Sequence, residues 1–167
     1  MFSVDLYFSF RSPYSYFILP RIIELRDNYS VNIDFKLVYP LAIREPHFFK
    51  GKNGITYFIP KIFDYFLQAK KLGMKFKPPK PDPINQSILT GKISNNQPFI
   101  FDLCHIGQSM CNKNLGIEFA HEISNSIFGG KVDWHKDNHL SSICSKLGVD
   151  FEEIKKFSKL YEKNIIK

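Results

Sequence analysis

The opening stretch of the chain constrains its fold more than anything that follows. Residues 3–10 alternate apolar and polar side chains and are rich in aromatics, the period-two pattern of a half-buried strand. Ser12 and Pro13 then supply two helix-start signals: a hydroxyl that can cap a first turn, and a ring whose missing N–H has no intrahelical bond to lose. The helix is expected to run to about Asn28, with Phe17, Ile18, Ile22 and Leu25 as its apolar stripe and Pro20 kinking it. Residues 31–39 alternate again and read as a second strand. Strand, helix and strand in that order, joined by a right-handed crossover, predict a parallel pair.

The middle of the chain changes character. Ile59, Ile62, Phe63, Phe66 and Leu67 recur at helical spacing, and Gly73 is placed to end that helix over residues 59–72. Residues 75–83 carry four prolines and predict an extended, irregular segment. Residues 98–111 and 116–128 read as mostly buried helices, the second closed by Gly129 and Gly130, and residues 138–147 as a short helix ended by Gly148. Asp150 is placed to cap a last helix, with Glu153 as the reciprocal partner of a capping box. The chain shows no internal repeat and no low-complexity tract.

Composition narrows the function classes. Hydrophobic residues make up 44% and charged residues 23%, as in a folded soluble domain. No apolar run approaches the ~20 residues that span a bilayer, and the first residues lack the pattern of a secretory leader. The cytoplasm is the expected location. Cys104, Cys111 and Cys144 form no C-x-x-C pair and read as reduced thiols. The net charge of +7 is spread over scattered lysines, which reads as a solvated surface and not as a nucleic-acid or membrane interface. Such a field would draw a small anionic substrate. His135 and His139 could share a helix face but have no third ligand in register, and His121 with Glu122 lacks the second histidine of a zinc-protease motif, so no metal is expected.

The segment from Phe10 to Tyr16 lies where a strand ends and a helix begins, the place where α/β proteins put ligand-binding groups. Ser12 and Ser15 have the C-x-x-C spacing of a redox site, with hydroxyls in place of both thiols. Two serines cannot exchange disulfides, because that chemistry needs a thiolate. A serine at a helix N-terminus can instead donate a hydrogen bond to the sulfur of a bound thiol. Lowering a thiol pKa from ~8.5 to ~7 needs about 2 kcal/mol. A helix N-terminus supplies roughly 0.3–1 kcal/mol and a hydrogen bond to a charged group roughly 1.5–3 kcal/mol.

A strand, then S-P-Y-S-Y, then a helix resembles the start of the family that holds the kappa-class glutathione transferases and the 2-hydroxychromene-2-carboxylate isomerases. The stretch from Lys71 to Met74 and the proline-rich residues 76–84 are similar to that family's helix end and P-x-P segment, with Asn85 near its asparagine. Residues 119–127, Asp133 with Trp134, and residues 140–149 are similar to its later helices. The resemblance implies an α/β, thioredoxin-like fold of the DsbA/kappa type with a large helical insertion. Residues 1–40 would form the N-terminal βαβ half and residues 41–167 the insertion.

The resemblance further implies glutathione as cofactor, with Ser12 as the catalytic group that holds its sulfur and Pro13 and Tyr14 as further contacts. Arg11, Tyr16 and Asn85 would border a pocket for a small aromatic or unsaturated substrate. The implied activity is a glutathione-dependent isomerisation in which the thiolate adds to the substrate, permits bond rotation and leaves. The alternatives are a kappa-like transferase, or a non-catalytic truncated relative that binds a partner chain. The family's C-terminal ββα half has no counterpart among these residues. The expectation is therefore an incomplete sheet whose first strand presents an unpaired edge, covered by a second copy or a complementing chain.

Overall fold

Alternating apolar residues at both ends of the first crossover do produce a parallel strand pair. The computed structural model of the protein describes residues 2–52 and 54–167. Strand β1 (Ser3–Phe8) and strand β2 (Asn32–Leu37) run parallel, Ser3 opposite Asn32 and Phe8 opposite Leu37, and helix α1 (Pro13–Tyr29) connects them. This register puts Val4, Leu6 and Phe8 on one face with Ile33, Phe35 and Leu37. The other face carries Ser3, Asp5, Tyr7, Asn32, Asp34 and Lys36. There Lys36 Nζ lies 2.7 Å from Asp5 Oδ2 and 3.1 Å from Asp34 Oδ2, above the Tyr7 ring. Strands covered on both faces read as continuous apolar runs; these alternate because one face stays in water.

The apolar face is filled by helices. After β2 the chain forms a short helix α2 (Leu41–Arg44), a 3₁₀ turn (Pro46–Phe49) and a π turn (Gly54–Phe58) that runs into α3 (Ile59–Leu72). Beyond the proline-rich segment come α4 (Ile100–Asn112), α5 (Gly116–Gly129), α6 (Asp137–Lys146) and α7 (Phe151–Ser158). Helix α4 is buried without a break from Leu103 to Met110. It reaches the sheet through Gly107, where a Cβ would stand 2.7 Å from Phe10 ring carbons and 2.9 Å from Leu37 Cδ1. Helix α5 packs beside it, with Phe119 edge-on to Phe10 and Gly116 against Phe35. Helix α1 joins α5 through the stacked rings of Tyr16 and Phe128 and the Arg26–Glu118 ion pair at 2.5 Å.

The helix ends follow from the residues placed there. Gly73 adopts φ +64°, so Met74 N–H reaches Ala69 O at 2.9 Å and Gly73 N–H reaches Lys70 O at 3.3 Å; both bonds satisfy carbonyls that α3 leaves open. Asp150 Oδ1 accepts from Glu153 N–H at 2.7 Å and caps α7. Helix α1 continues through Pro20 to Tyr29, with Pro20 on its exposed side. Residues 75–99 have no regular structure but are pinned at several points. Lys77 N–H donates to Phe128 O at 2.7 Å and Trp134 Nε1–H to Pro81 O at 3.0 Å. Gln97 clasps Asn85 in both directions, accepting its N–H at 2.7 Å and donating to its carbonyl at 3.0 Å.

After a 3₁₀ turn (Lys159–Asn164) the chain returns to the sheet. Ile166 N–H donates to Leu37 O at 3.0 Å, and Tyr39 N–H donates to Ile166 O at 3.0 Å. Strand β2 thus has β1 on one side and this bridge on the other, whereas the outer edge of β1 has no strand beside it among the described residues. No described helix is long and apolar enough to cross a membrane.

Candidate functional site

The site is built on the turn between β1 and α1. Phe10 is fully buried and fixes the end of the strand. Ser12 takes extended angles (φ −89°, ψ 114°), and its Oγ accepts the Ser15 N–H at 3.2 Å while its carbonyl accepts the Tyr16 N–H at 3.1 Å. Pro13 has no N–H, so the first amide donor of α1 belongs to Tyr14, and it has no partner among the described residues. A hydroxyl holds one donor and two acceptor positions. Capping uses an acceptor position of Ser12, which leaves the O–H to donate to something else.

Ser12 and Pro13 border a cavity of about 390 Å³, within the ~300–1,000 Å³ range of small-molecule sites. Helix α3 and the turn before it supply Tyr57, Phe58, Lys61, Ile62 and Tyr65; the proline-rich segment supplies Phe76, Pro78, Pro79 and Asp82. Arg11 grips Asp82 with two parallel bonds, Nε to Oδ1 at 3.1 Å and Nη2 to Oδ2 at 3.2 Å. Asp82 Oδ1 also accepts the Ile84 N–H at 2.8 Å. The pair is partly exposed and so contributes little net stability. Its consequence is geometric, because it ties the proline-rich wall to the α1 turn.

Arg11 and Lys61 against Asp82 leave the cavity lining one net positive charge. Burial raises the pKa values of Tyr57 and Tyr65, so both phenols stay protonated donors near neutral pH. Gln86 also lines the cavity. Its Nε2 donates to Gly91 O at 2.8 Å, while its buried Oε1 has no partner among the described residues and remains an acceptor.

The residues singled out from sequence do not all meet here. Arg11, Ser12 and Pro13 stand together on the cavity wall. The Tyr14 side chain turns away from it: its Oη donates to Asp64 on α3, a bond that, with burial second, pushes its pKa up to about 12. Tyr16 belongs to the core, with its Oη donating to Lys75 O at 3.0 Å and its ring stacked on Phe128. Asn85 sits in the Gln97 clasp, outside the cavity lining. Tyr57, Lys61, Tyr65, Asp82 and Gln86 were not expected. Asp82 carried one usable signal, as the one acidic residue between Asp64 and Asp102 and hence a partner for a distant arginine.

Other reactive groups lie elsewhere. Cys104, Cys111 and Cys144 are free thiols; burial pushes Cys111 up to about 12 and Cys144 up to about 11, and raises Cys104 as well. None is poised as a nucleophile at neutral pH. His139 Nε2 lies 2.8 Å from Ser126 Oγ, and His135 packs on the Phe99 ring at 4.6 Å. Among the described residues no group of three metal-ligating side chains comes together.

No protein-family model matches the chain, and no curated protein sequence matches it. Solved structures do. A 2-hydroxychromene-2-carboxylate isomerase superposes with a TM-score of 0.66 at 17% identity, over 97% of this chain and 76% of that one. A protein from Nitrosomonas europaea assigned as a protein disulfide isomerase superposes with a TM-score of 0.54 at 13% identity, over 95% of this chain and 75% of that one. Likeness at such identities speaks to architecture, and with the parallel βαβ start and the helices that follow it, the chain has a DsbA-like thioredoxin fold with a large helical insertion and a two-stranded sheet.

Proposed function

We propose that the protein is a glutathione-dependent isomerase resembling 2-hydroxychromene-2-carboxylate isomerase, with Ser12 stabilising the glutathione thiolate. The observation that carries this reading is the state of Ser12: it caps α1 through an acceptor position, keeps its O–H to donate, and borders a cavity. The Tyr14 N–H at the same helix end, without a partner among the described residues, is a second donor for an anionic sulfur. The buried Gln86 Oε1 suits the amide N–H groups of a peptide cofactor, and the net positive lining suits its carboxylates. These residues fit glutathione. When bound, it supplies a soft nucleophile that adds reversibly to an activated double bond.

The chain's own residues would then do the following. Ser12 donates to the sulfur and favours its ionised form. Tyr57, Phe58 and Tyr65 flank an unsaturated or aromatic substrate and keep bulk water from it. Lys61 offers a cation to a substrate carboxylate, while Arg11 holds Asp82 and with it the proline-rich wall. The free thiols of Cys104, Cys111 and Cys144 suit the cytoplasm, where cysteines stay reduced.

The test is to mix the protein with glutathione and 2-hydroxychromene-2-carboxylate. Isomer formation that requires glutathione without consuming it supports the isomerase. Accumulation of a glutathione conjugate supports the kappa-like transferase instead. Absence of both turnover and calorimetric glutathione binding would leave the non-catalytic, partner-binding relative.

A further inference from the structure

Ser12 and Pro13 stand between two side chains that leave the turn in different directions. Arg11 takes the Asp82 carboxylate on the proline-rich wall of the cavity, and Tyr14 Oη donates to Asp64 Oδ2 on the wall built by α3. Asp64 is held ready for this bond. Gln68, one turn further along α3, donates to Asp64 Oδ1 at 3.1 Å, so both carboxylate oxygens are engaged. The bonds from Tyr14, chiefly, and from Gln68 hold the Asp64 carboxyl below its ordinary range, and it is an ionised acceptor at neutral pH. The Tyr14 ring adds an edge-on contact to Tyr65, with centroids 5.1 Å apart.

Helix α3 depends on such contacts because it has little core of its own. Among the 14 described residues of α3, Ala69 alone is buried, while Phe63, Phe66 and Leu67 are exposed. Lys61 and Tyr65, four positions apart, share a face of the helix and line the cavity. Asp64 is the neighbour of Tyr65 in the chain, so whatever fixes Asp64 also fixes how far Lys61 and Tyr65 stand from Ser12. We infer that Tyr14 is a positioning residue of this site: its phenol, anchored on Asp64, holds α3 so that Lys61 and Tyr65 face a substrate bound beside Ser12. The identity of that substrate rests on the isomerase reading; the placement of the wall does not. One turn of backbone thus grips two walls, with Arg11 before Ser12 and Tyr14 after Pro13.

Tyr14→Phe removes the hydroxyl and leaves the ring, the Tyr14 N–H and Ser12 in place. Asp64→Ala removes the acceptor, and Asp64→Asn keeps an oxygen that can accept. Either of the first two should raise the KM for 2-hydroxychromene-2-carboxylate roughly tenfold while kcat falls far less, the sign of lost uniform binding. The bound-thiolate pKa should not move. The double variant should be no worse than either single one, because both delete the same bond, and Asp64→Asn should recover most of the loss. Anilinonaphthalene sulfonate, an aromatic anion, probes the cavity without turnover. Its Kd, read by fluorescence, should weaken by a similar factor, with amide exchange faster over residues 59–68 and unchanged over residues 76–84. Circular dichroism reports the fold, and Asp64→Ala decides the matter if Tyr14→Phe fails to fold. A protein without isomerase activity ends the substrate assignment alone, and dye and exchange then decide for or against Tyr14. Variants that lower Tm but leave KM and the dye Kd unaltered overturn the inference. So do additive effects of the two substitutions, or unaltered exchange in α3.

Discussion

Replacing Ser12 with alanine would separate the cap its hydroxyl forms from the thiolate-donor role we propose for it. As a cap, Ser12 Oγ accepts a single bond from Ser15 N–H at 3.2 Å, and the residue is only half-buried, so water can replace part of what is lost. The stability cost should be about 1 kcal/mol, a fall in Tm of roughly 2–4 °C for a chain of this size. As the proposed donor to a bound thiolate, the same hydroxyl would contribute a bond to a charged acceptor, about 1.5–3 kcal/mol. At 1.36 kcal/mol per pKa unit, its removal should raise the thiolate pKa by about 1–2 units. The Tyr14 N–H and the end of α1 remain, so the pKa should not return to that of free glutathione. Ultraviolet absorbance of the bound thiolate against pH measures the shift, and calorimetry at matched pH measures affinity. Ser12→Thr keeps the hydroxyl and should preserve the pKa. A thiolate pKa unchanged in Ser12→Ala, with binding intact, would refute the reasoning.

Three further expectations follow from packing and burial. Gly107→Ala should cost about 1–3 kcal/mol, read by chemical denaturation, because its Cβ meets the Phe10 ring at 2.7 Å; undiminished stability would mean that α4 does not approach the sheet so closely. Trp134→Phe strips the Pro81 carbonyl of its donor at 3.0 Å and should cost about 1–3 kcal/mol, with hydrogen exchange around residues 77–84 rising as the wall of the cavity loosens; exchange unaltered there would count against Trp134 as its anchor. Burial lowers the His105 pKa, so its contribution to stability is full above the unfolded value of ~6.5 and is lost as pH falls from there through the lower folded value. Denaturation midpoints should decline below about pH 6.5 and decline less in His105→Gln; equal slopes in the two proteins would refute it.

The parts of this fold that the sequence made legible are those whose cause is local. A strand pattern, a serine–proline start and a second strand specify a βαβ unit, and Gly73 and Asp150 end and begin their helices through bonds to residues within four positions. Boundaries moved by a residue or two where a cap is weak: α4 starts at Ile100, after a Phe99 that offers no side-chain cap. Residues 41–58 gave no period to read, since their short α, 3₁₀ and π turns are held by neighbours such as Gly91, packed against the Phe49 and Lys52 carbonyls. The site divided in the same way. The Ser12 cap was legible because it depends only on the turn it closes. Arg11 and Asp82 are 71 residues apart, and nothing near either one names the other. Tyr14 and Tyr16 lie close to Ser12 in sequence, yet helical geometry turns one toward α3 and the other into the core. The return of Ile166 to β2 has no local signature at all.

The polar face of the strand pair limits how this sheet can be built upon. A helix laid across it would have to take Asp5, Asp34 and Lys36 out of water together, and desolvating such a cluster costs several kcal/mol per ion. A strand added beside β1 leaves all three charges hydrated and consumes only backbone groups without partners among the described residues. The sheet is therefore extensible in its own plane and resistant to stacking from above, so any larger assembly formed through it keeps one wet face.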